Sequence, residues 1–441
     1  MRNYAHTGKR LRRAVAVILA MSALGVTSNV LADTDKEKAL EARVAELEKM
    51  VNQLVAQQQA MAAGAPAAAA PDKPIQATTV TPGAAPGTTF NYGGFVKADF
   101  LFSDYGDGAT TGGRDFYVPG ATPVGGESED VYFDAHAKQT RIHFGTNTVL
   151  DSGKNVKTYI EMDFYGSGSG NERVSNTYSP VLRHAFVQYN GWLVGQTWSN
   201  FMNPAALPEA VDFIGPTDGS IFVRQTQARY TIGGLSLAIE NPETTLLPYE
   251  GGTSFTTDDS SWPDFTGRYT LSGDWGQVAI AGLVRELKYV DNASNIDDSK
   301  WTGALSLTGL WKIFSKDDIR WMLSGGNLGR YNGLNFATEG VLSSSGKIET
   351  IDGWAGYLAY RHFWTDKMRS TFFYSMQDYD NPRKYTGSAV NKSSDSIGVN
   401  FFYSPIPKLD VGVAYRHATR ELENGSDGDL DRVQFTTKYS F

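Results

Sequence analysis

The last twelve residues of the chain, 430–441, restrict its possible folds more than any other stretch. Alternate positions are polar, as at Arg432, Gln434 and Lys438, and the positions between them are mostly apolar or aromatic as far as the terminal Phe441. A β-strand turns successive side chains to opposite faces, so this strand has one apolar and one polar face. In a membrane barrel, a slip of one residue would turn both cations toward lipid, at about 2–4 kcal/mol each near the midplane.

The alternation alone fits a strand of a soluble sandwich as well as a barrel strand. Two details favour the barrel, because the chain ends on an aromatic residue of the apolar face, and Tyr439 and Phe441 suit an interfacial aromatic girdle. The absence of cysteine from all 441 residues excludes disulfides and thiolate metal sites. The net charge of −8 argues against nucleic acid as a partner.

Residues 1–32 have the composition of a secretory signal peptide. A basic segment ends at Arg13, an apolar segment covers 14–26, and Val-Leu-Ala at 30–32 is a plausible cleavage site. A membrane anchor is the alternative, but the apolar run is shorter than the ~20 residues that a spanning helix needs. No later stretch reaches that length, so a membrane location requires a barrel.

Residues 33–61 predict a helix that forms a short coiled coil. Apolar side chains recur at alternating spacings of four and three, at Leu40, Val44, Leu47, Val51, Leu54 and, after Gln58, Met61. Lys36–Glu41 and Arg43–Glu48 have the spacing of bridges between helices. A lone amphipathic helix is the alternative. Valine at a and leucine at d would favour a dimer. Residues 62–89, rich in Ala, Pro, Gly and Thr, predict a linker.

Residues 90–441 predict an all-β domain, a transmembrane antiparallel barrel of about sixteen strands. Two-faced segments are separated alternately by tight turns and long polar loops. The turns are 151–154, 190–191, 233–234, 273–276, 315–317, 365–367 and 404–408, and the loops are 103–137, 166–180, 200–220, 242–262, 290–299, 332–347, 379–393 and 422–429. Strands 182–189, 192–198 and 221–231 alternate poorly, which would suit a subunit contact.

Many positions that the alternation turns inward are basic. We predict that these residues, with one histidine, line the pore: Arg141, His143, Lys157, Arg229, Arg268, Arg285, Arg361, Arg369 and Arg416, with Arg420 in the same series. Rings of such cations select anions in pores, although each contact in a wet lumen contributes only about 1 kcal/mol. The alternative is that about half of them are wall residues paired with acids such as Glu161, Asp163 and Asp264.

The loop 200–220 carries more apolar side chains than a loop in water usually does, among them Phe201 and Phe213. We expect it to fold into the lumen and to narrow it with Glu209, Asp212 and Phe213, the two acids facing the basic wall. Packing at a subunit contact is the alternative.

Sequence signatures of catalysis are missing. The chain has neither His-Glu-x-x-His nor Gly-x-Ser-x-Gly, and Gly346-Lys347 lacks the upstream glycine of a phosphate-binding loop. We therefore predict no enzymatic activity. Acidic loops such as 256–260 could hold calcium, but such loops are more often simply solvated, so neither a metal nor a cofactor is expected.

Three segments resemble the DcaP-like trimeric porin family of Gram-negative bacteria: Leu182–Val187, Gly195–Met202 and Phe222–Gln225. The run Gly-Gln-Thr-Trp-Ser-Asn within the second is the most specific. The order of signal peptide, coiled coil, linker, barrel and terminal Phe441 is similar over the whole chain. The resemblance implies a homotrimer of sixteen-stranded barrels, in conflict with the dimer that the heptads favour, and uptake of anionic solutes such as dicarboxylates.

These observations together predict a passive porin of the bacterial outer membrane that prefers small organic anions. We further expect the coiled coil in the periplasm, contacts with outer-membrane lipid and lipopolysaccharide, and recognition of Phe441 by the barrel-assembly machinery. A sugar-specific porin is the nearest alternative and predicts aromatic side chains along the lumen. An outer-membrane hydrolase, with His143 and His184 as weak candidates, and a structural tether that uses the coiled coil are the others.

Deleting residues 33–61 should leave the single-channel conductance unchanged, because the predicted pore belongs entirely to residues 90–441. Planar-bilayer recordings of the deletion variant and of the full chain make the comparison. A correctly inserted variant that no longer conducts would contradict this division of the chain.

Overall fold

The computed structural model describes residues 87–441 except 111 and 129. The predicted signal peptide, the predicted coiled coil and the predicted linker as far as residue 86 lie outside these residues. The first strand begins at Thr88, two residues before the predicted start of the barrel.

In the described part of the chain, sixteen antiparallel strands form a closed wall, which confirms the predicted barrel. They are β1 (Thr88–Tyr105), β2 (Tyr132–His136 and Arg141–Val149), β3 (Asn155–Asp163), β4 (Val181–Tyr189), β5 (Trp192–Trp198), β6 (Arg224–Ile232), β7 (Leu235–Glu240), β8 (Asp264–Gly273), β9 (Gly276–Asp291), β10 (Ile296–Ile313), β11 (Asp317–Gly326), β12 (Asp352–Phe363), β13 (Met368–Asp380), β14 (Asn391–Ile406), β15 (Leu409–Leu422) and β16 (Asp427–Ser440). Each pairs with its neighbours in sequence, and both segments of β2 pair with β1. Pairing of β16 with β1 closes the ring.

The loops carry short elements of their own. They are the 3-10 helices Pro119–Ala121, Pro204–Ala206 and Gly329–Tyr331, the helix Arg383–Thr386, a small sheet of Thr244–Leu247, Phe255–Thr257, Gly340–Leu342 and Ile348–Thr350, and a hairpin of Gly170–Asn171 with Thr177–Tyr178. Over residues 87–441, apart from 111 and 129, no helix has the length and apolar character needed to cross a membrane.

Long connections alternate with tight turns along the chain, so the wall has a loop rim and a turn rim. Two of the predicted loops are shorter than expected, since 290–299 is mostly strand and 422–429 is half strand. β9 and β10 remain paired as far as Asp291 and Ile296, and β15 and β16 as far as Glu421 and Asp427. Polar composition showed that these segments are exposed to water, but exposure does not end the pairing of backbone groups.

The outer face of the wall carries an apolar belt. On β10, Leu305 and Leu307 lie midway between Trp301 and Trp311, and the Leu305 side chain is 64% exposed. Tryptophan at both edges and leucine between them is the arrangement of a lipid-facing strand. Phe441 is also exposed on this face, which suits a place in the girdle.

The poor alternation of 182–189 has a structural cause. The pairing of β3 with β4 shifts register between Glu161 and Met162, so that Arg183 and His184 are both buried inside the barrel. Such a bulge inserts one residue and reverses the parity of those that follow. Beyond it, Val187 is exposed on the outer face. A subunit contact at these strands stays a prediction.

Part of the interior is packed rather than open, because loops meet the inner faces of β9–β13 in a hydrophobic core. Its buried members include Phe201, Met202, Ile221, Leu247, Leu283, Met322, Leu328, Tyr331, Phe336, Val341, Ile351, Tyr357 and Tyr379. These side chains come from loops of the loop rim as well as from the wall. This part of the interior therefore resembles the core of a soluble protein.

Replacing Leu305 by arginine should destabilise the barrel by about 2–4 kcal/mol, because the charge would face lipid near the middle of the belt. Leu305→Phe keeps the surface apolar and should be nearly neutral. Urea-dependent unfolding in lipid vesicles, followed by tryptophan fluorescence, compares the two variants. Equal midpoints would show that Leu305 does not face lipid.

Candidate functional site

The connection from β5 to β6, residues 199–223, crosses the interior of the barrel, and we call it the inner loop. Near its start, Asn200 donates to the Ser236 carbonyl at 3.1 Å and accepts from the Ser236 hydroxyl at 2.6 Å. Further along, the Tyr357 hydroxyl donates to the Ala206 carbonyl at 2.8 Å. These partners are inward-facing residues of β7 and β12, so the inner loop lies within the wall.

Glu209 makes the main charged contact between the inner loop and the wall. Its carboxylate accepts two hydrogen bonds from Arg369, at 2.7 and 2.6 Å, and lies 3.6 Å from Arg361. Arg369 also lies 3.0 Å from Asp410, and Arg361 pairs with Asp318. Bidentate pairs of guanidinium and carboxylate are strong and directional. Both arginines are therefore partly neutralised, and they hold the inner loop in place.

The following part of the inner loop contacts β1 and β15. The Arg416 guanidinium lies 3.5 Å from the Asp212 carboxylate and also donates to the Gly215 carbonyl. From β1, two strands away around the wall, Lys97 donates to the Val211 carbonyl at 2.8 Å. Arg416 and Lys97 are both buried, so these cations serve the loop and add little exposed charge to the lumen.

Asp218 is a fully buried carboxylate near the end of the inner loop. It accepts hydrogen bonds from the hydroxyls of Tyr117 at 2.7 Å, Ser394 at 2.6 Å and Ser396. Burial raises the pKa of Asp218, because the charged form loses its hydration. The hydroxyls replace part of that hydration and tie the inner loop to β14 and to the loop between β1 and β2.

The eight cations among the predicted pore-lining residues fall into two groups. Five of them have a carboxylate within 4.0 Å: Arg141, Arg285, Arg361, Arg369 and Arg416. Arg285 is fully buried between Asp264 and Glu339, so it contributes no exposed charge to the lumen. This group matches the alternative expectation, in which some inward cations are wall residues paired with acids. That these five arginines also line the pore stays a prediction.

The second group consists of Lys157, Arg229 and Arg268. Among the residues that the structure describes, none of these three has a carboxylate oxygen within 4.0 Å. All three retain some exposure. The predicted residue His143 belongs to neither group, since its ring stacks on Tyr159 with centroids 5.4 Å apart.

The sequence analysis missed Arg320, which donates to the Leu207 carbonyl of the inner loop, and two further inward arginines. Arg183 donates to Glu161 at 2.9 Å and to Asp163 at 2.8 Å, and the Arg224 guanidinium lies 5.2 Å from the ring of Trp198. Both arginines lie in segments that carry the family resemblance. The disturbed alternation of those segments concealed the direction of the side chains. The family resemblance of the segments was the one signal that could have drawn attention to them.

The predicted constriction residue Phe213 contacts other aromatic rings inside the barrel. Its centroid lies 5.3 Å from that of Phe116, 4.6 Å from that of Tyr165 and 5.6 Å from that of Phe222. Edge-to-face contacts of this kind fix the orientation of a ring. Phe213, on the inner loop, is thus held against the loops that follow β1 and β3.

Metal-ligating side chains come together at one described position, on the outer face of β15 and β16. His417, Asp429 and Asp431 place one ligand atom each within 4.8 Å of one another. Asp431 accepts a hydrogen bond from Tyr415 at 2.6 Å and lies 3.0 Å from His417, which accounts for the grouping without an ion.

Replacing Glu209 by glutamine should cost about 1.5–3 kcal/mol of stability, because it removes charge-assisted hydrogen bonds from Arg369. It should also increase the preference for anions, since the lumen loses a negative charge. Asp366→Asn removes a charge from an exposed turn at the turn rim and is the control. Thermal melting and bilayer reversal potentials measure both effects. If Glu209→Gln had the same melting temperature and reversal potential as the control, Glu209 would not be the main charged contact of the inner loop.

The profile of the DcaP outer membrane protein family matches residues 25–441. Among solved structures, the outer membrane channel DcaP of Acinetobacter baumannii is similar, with a TM-score of 0.66 and 23% identity over 80% of this chain and 98% of that chain. OmpT of Vibrio cholerae is similar over 81% of this chain and 99% of its own, at 10% identity and a TM-score of 0.48. No curated protein matches the sequence. Because the family profile covers nearly the whole sequence, the chain belongs to the DcaP outer membrane protein family.

Proposed function

We propose that this protein is a passive outer-membrane channel that favours small organic anions, dicarboxylates in particular. The observation that most supports the proposal is a series of inward cations on β3–β8. They are Lys157, Arg224, Arg229 and Arg268, and within the described residues no carboxylate oxygen lies within 4.0 Å of any of them. An anion that enters the lumen meets charges not already paired within the wall.

Arg229 and Arg268 lie on the two strands that flank β7. Arg229 stands opposite Ala238 and Arg268 opposite Ser236, so both project inward beside the inner loop. Arg268 also donates to the Met202 carbonyl, which fixes its position. Two strand spacings separate the two backbones by about 10 Å. Their guanidiniums can therefore each approach one end of a short dicarboxylate.

One acid near this pair, Glu240 on β7, reduces the positive potential without cancelling it. The carboxylate is buried, and it accepts from the Asn200 backbone nitrogen at 2.7 Å and from the Thr266 hydroxyl at 2.7 Å. It therefore faces the junction between wall and inner loop. Two guanidiniums against one buried carboxylate leave a net positive charge toward the water.

The strength of each contact suits a channel. A charge pair at 4 Å contributes only about 1 kcal/mol in water, so one arginine neither traps a solute nor selects it strongly. Several such contacts in series raise the local concentration of anions and still release them. Arginine adds geometric preference, because two parallel N–H groups match the two oxygens of a carboxylate.

The proposal includes an assembly. We propose a homotrimer in the outer membrane, with residues 33–61 as a periplasmic coiled coil, lipopolysaccharide against the belt and recognition of Phe441 by the barrel-assembly machinery. Phe441, which directly follows β16, and the family membership support this arrangement.

A sugar-specific channel is the second candidate, and one specific observation favours it. On β2, β3 and β4, the rings of His143, Tyr159 and Phe186 form a stacked row, with centroids 5.4 and 5.6 Å apart. Aromatic faces along a lumen suit sugar rings. Liposome swelling distinguishes the candidates. An anion channel should admit succinate faster than a neutral sugar of similar size, whereas a sugar-specific channel should admit maltodextrins readily.

The double variant Arg229→Gln/Arg268→Gln should lose much of the anion preference, because it removes two unpaired lumen charges. The control is Lys154→Gln, on an exposed turn outside the lumen, which removes a charge that lies 5.8 Å from the exposed ring of Tyr189. Reversal potentials in a tenfold potassium chloride gradient should shift toward zero for the double variant and stay unchanged for the control. Cation preference in the unaltered protein would overturn the proposed function.

A further inference from the structure

A cavity of about 230 Å³ lies among the loops of the loop rim. Its walls come from the loops 241–263, 327–351 and 381–390, and its floor comes from the ends of β14 and β15. Two of the walls are joined, because the Glu250 backbone nitrogen donates to the Tyr385 carbonyl at 2.6 Å. The cavity is therefore a formed enclosure, and its residues differ from the unpaired cations on β3–β8.

Arg420 supplies the charge of this cavity. Its Nε and Nη2 atoms donate to the Asn391 side-chain oxygen at 2.9 and 2.6 Å, and its Nη1 donates to the Thr122 carbonyl at 2.6 Å. All of these acceptors are neutral, so the positive charge is oriented but not compensated. A guanidinium has five N–H groups, and two of them remain for a ligand.

The wall is shaped locally to hold this arginine. The pairing of β14 with β15 shifts register between Asn391 and Ser393, so that Lys392 is the extra residue of a bulge. Without the bulge, the alternation from the inward residue Ser394 would turn Asn391 outward. With it, Asn391 faces inward beside Arg420 and also donates to the Phe336 carbonyl at 2.5 Å. Bulges commonly re-aim a side chain in this manner.

The rest of the polar lining is uncharged. Ser254 and Asn335 are exposed at the opening, and Thr338 and Asn381 are buried deeper. One guanidinium with surrounding amides and hydroxyls suits a carboxylate that carries a further polar group. The volume accommodates a solute of roughly four carbons and excludes much larger ones.

We propose that this cavity is a capture site for one small organic anion, whose carboxylate binds Arg420 before the solute passes the inner loop. The inference rests on the proposed function, because it assigns the same class of solute to a second position. It adds a binding step that the cations of the lumen do not provide. Long loops of outer-membrane barrels face the cell exterior, so the site meets solutes before they enter.

The test uses the full-length channel in a planar bilayer, with succinate added from the side of the loop rim. The unaltered protein should show current interruptions whose frequency saturates with succinate. In Arg420→Gln, the succinate concentration that gives half of the maximal frequency should rise at least tenfold. The reversal potential in potassium chloride should keep its anion-selective sign, because the cations of β3–β8 remain. Unchanged succinate dependence in a folded Arg420→Gln channel would overturn the inference.

A second pair of variants covers the case in which Arg420→Gln does not fold. Ser254→Asp and Ser254→Lys place opposite charges at the exposed opening and leave Arg420 and its contacts untouched. Succinate binding should weaken with aspartate and strengthen with lysine, and equal binding by both would overturn the capture site. Cation preference combined with succinate interruptions that depend on Arg420 would overturn the proposed selectivity and support the capture site.

Discussion

Closure of the wall between β16 and β1 is the constraint on which the rest of the structure depends. Lipid offers no partner for a peptide N–H or C=O, and each unsatisfied group costs several kcal/mol. Eleven residue pairs from Phe95–Ser440 to Tyr105–Leu430 form this seam, so the wall has no free edge along it. A closed wall in turn imposes the alternation of side chains, which places apolar residues against lipid and polar residues inside.

The inward arginines differ in how their positive charge is compensated. Some arginines hold the inner loop, as Arg369 does through Glu209 and Arg416 through Asp212 and the Gly215 carbonyl. Others, on β3–β8, have no carboxylate partner among the described residues, although Arg268 also donates to the Met202 carbonyl of the inner loop. Neighbouring inward arginines thus differ in whether a carboxylate compensates their charge.

Much of the fold could be predicted from the sequence, because a period of two and the alternation of turns and loops are local signals. The sequence alone could not show which arginines are paired, since Arg285 meets Glu339 across a long separation in the chain. It also concealed Arg183, whose direction depends on a bulge that one extra residue creates. Arg420 was recognised as inward, but its cavity requires loops that are distant in sequence.

The hydrophobic core on β9–β13 has a consequence for how such channels diverge. Substitutions there disturb close packing, and large-to-small changes in a packed core commonly cost about 2–5 kcal/mol. Lys157 and Arg229 lie outside this core and have no carboxylate partner among the described residues, so exchanging them should cost little folding free energy. A barrel of this kind can therefore change the charge of its lumen by substitutions outside the core, while the core itself keeps the loops in place.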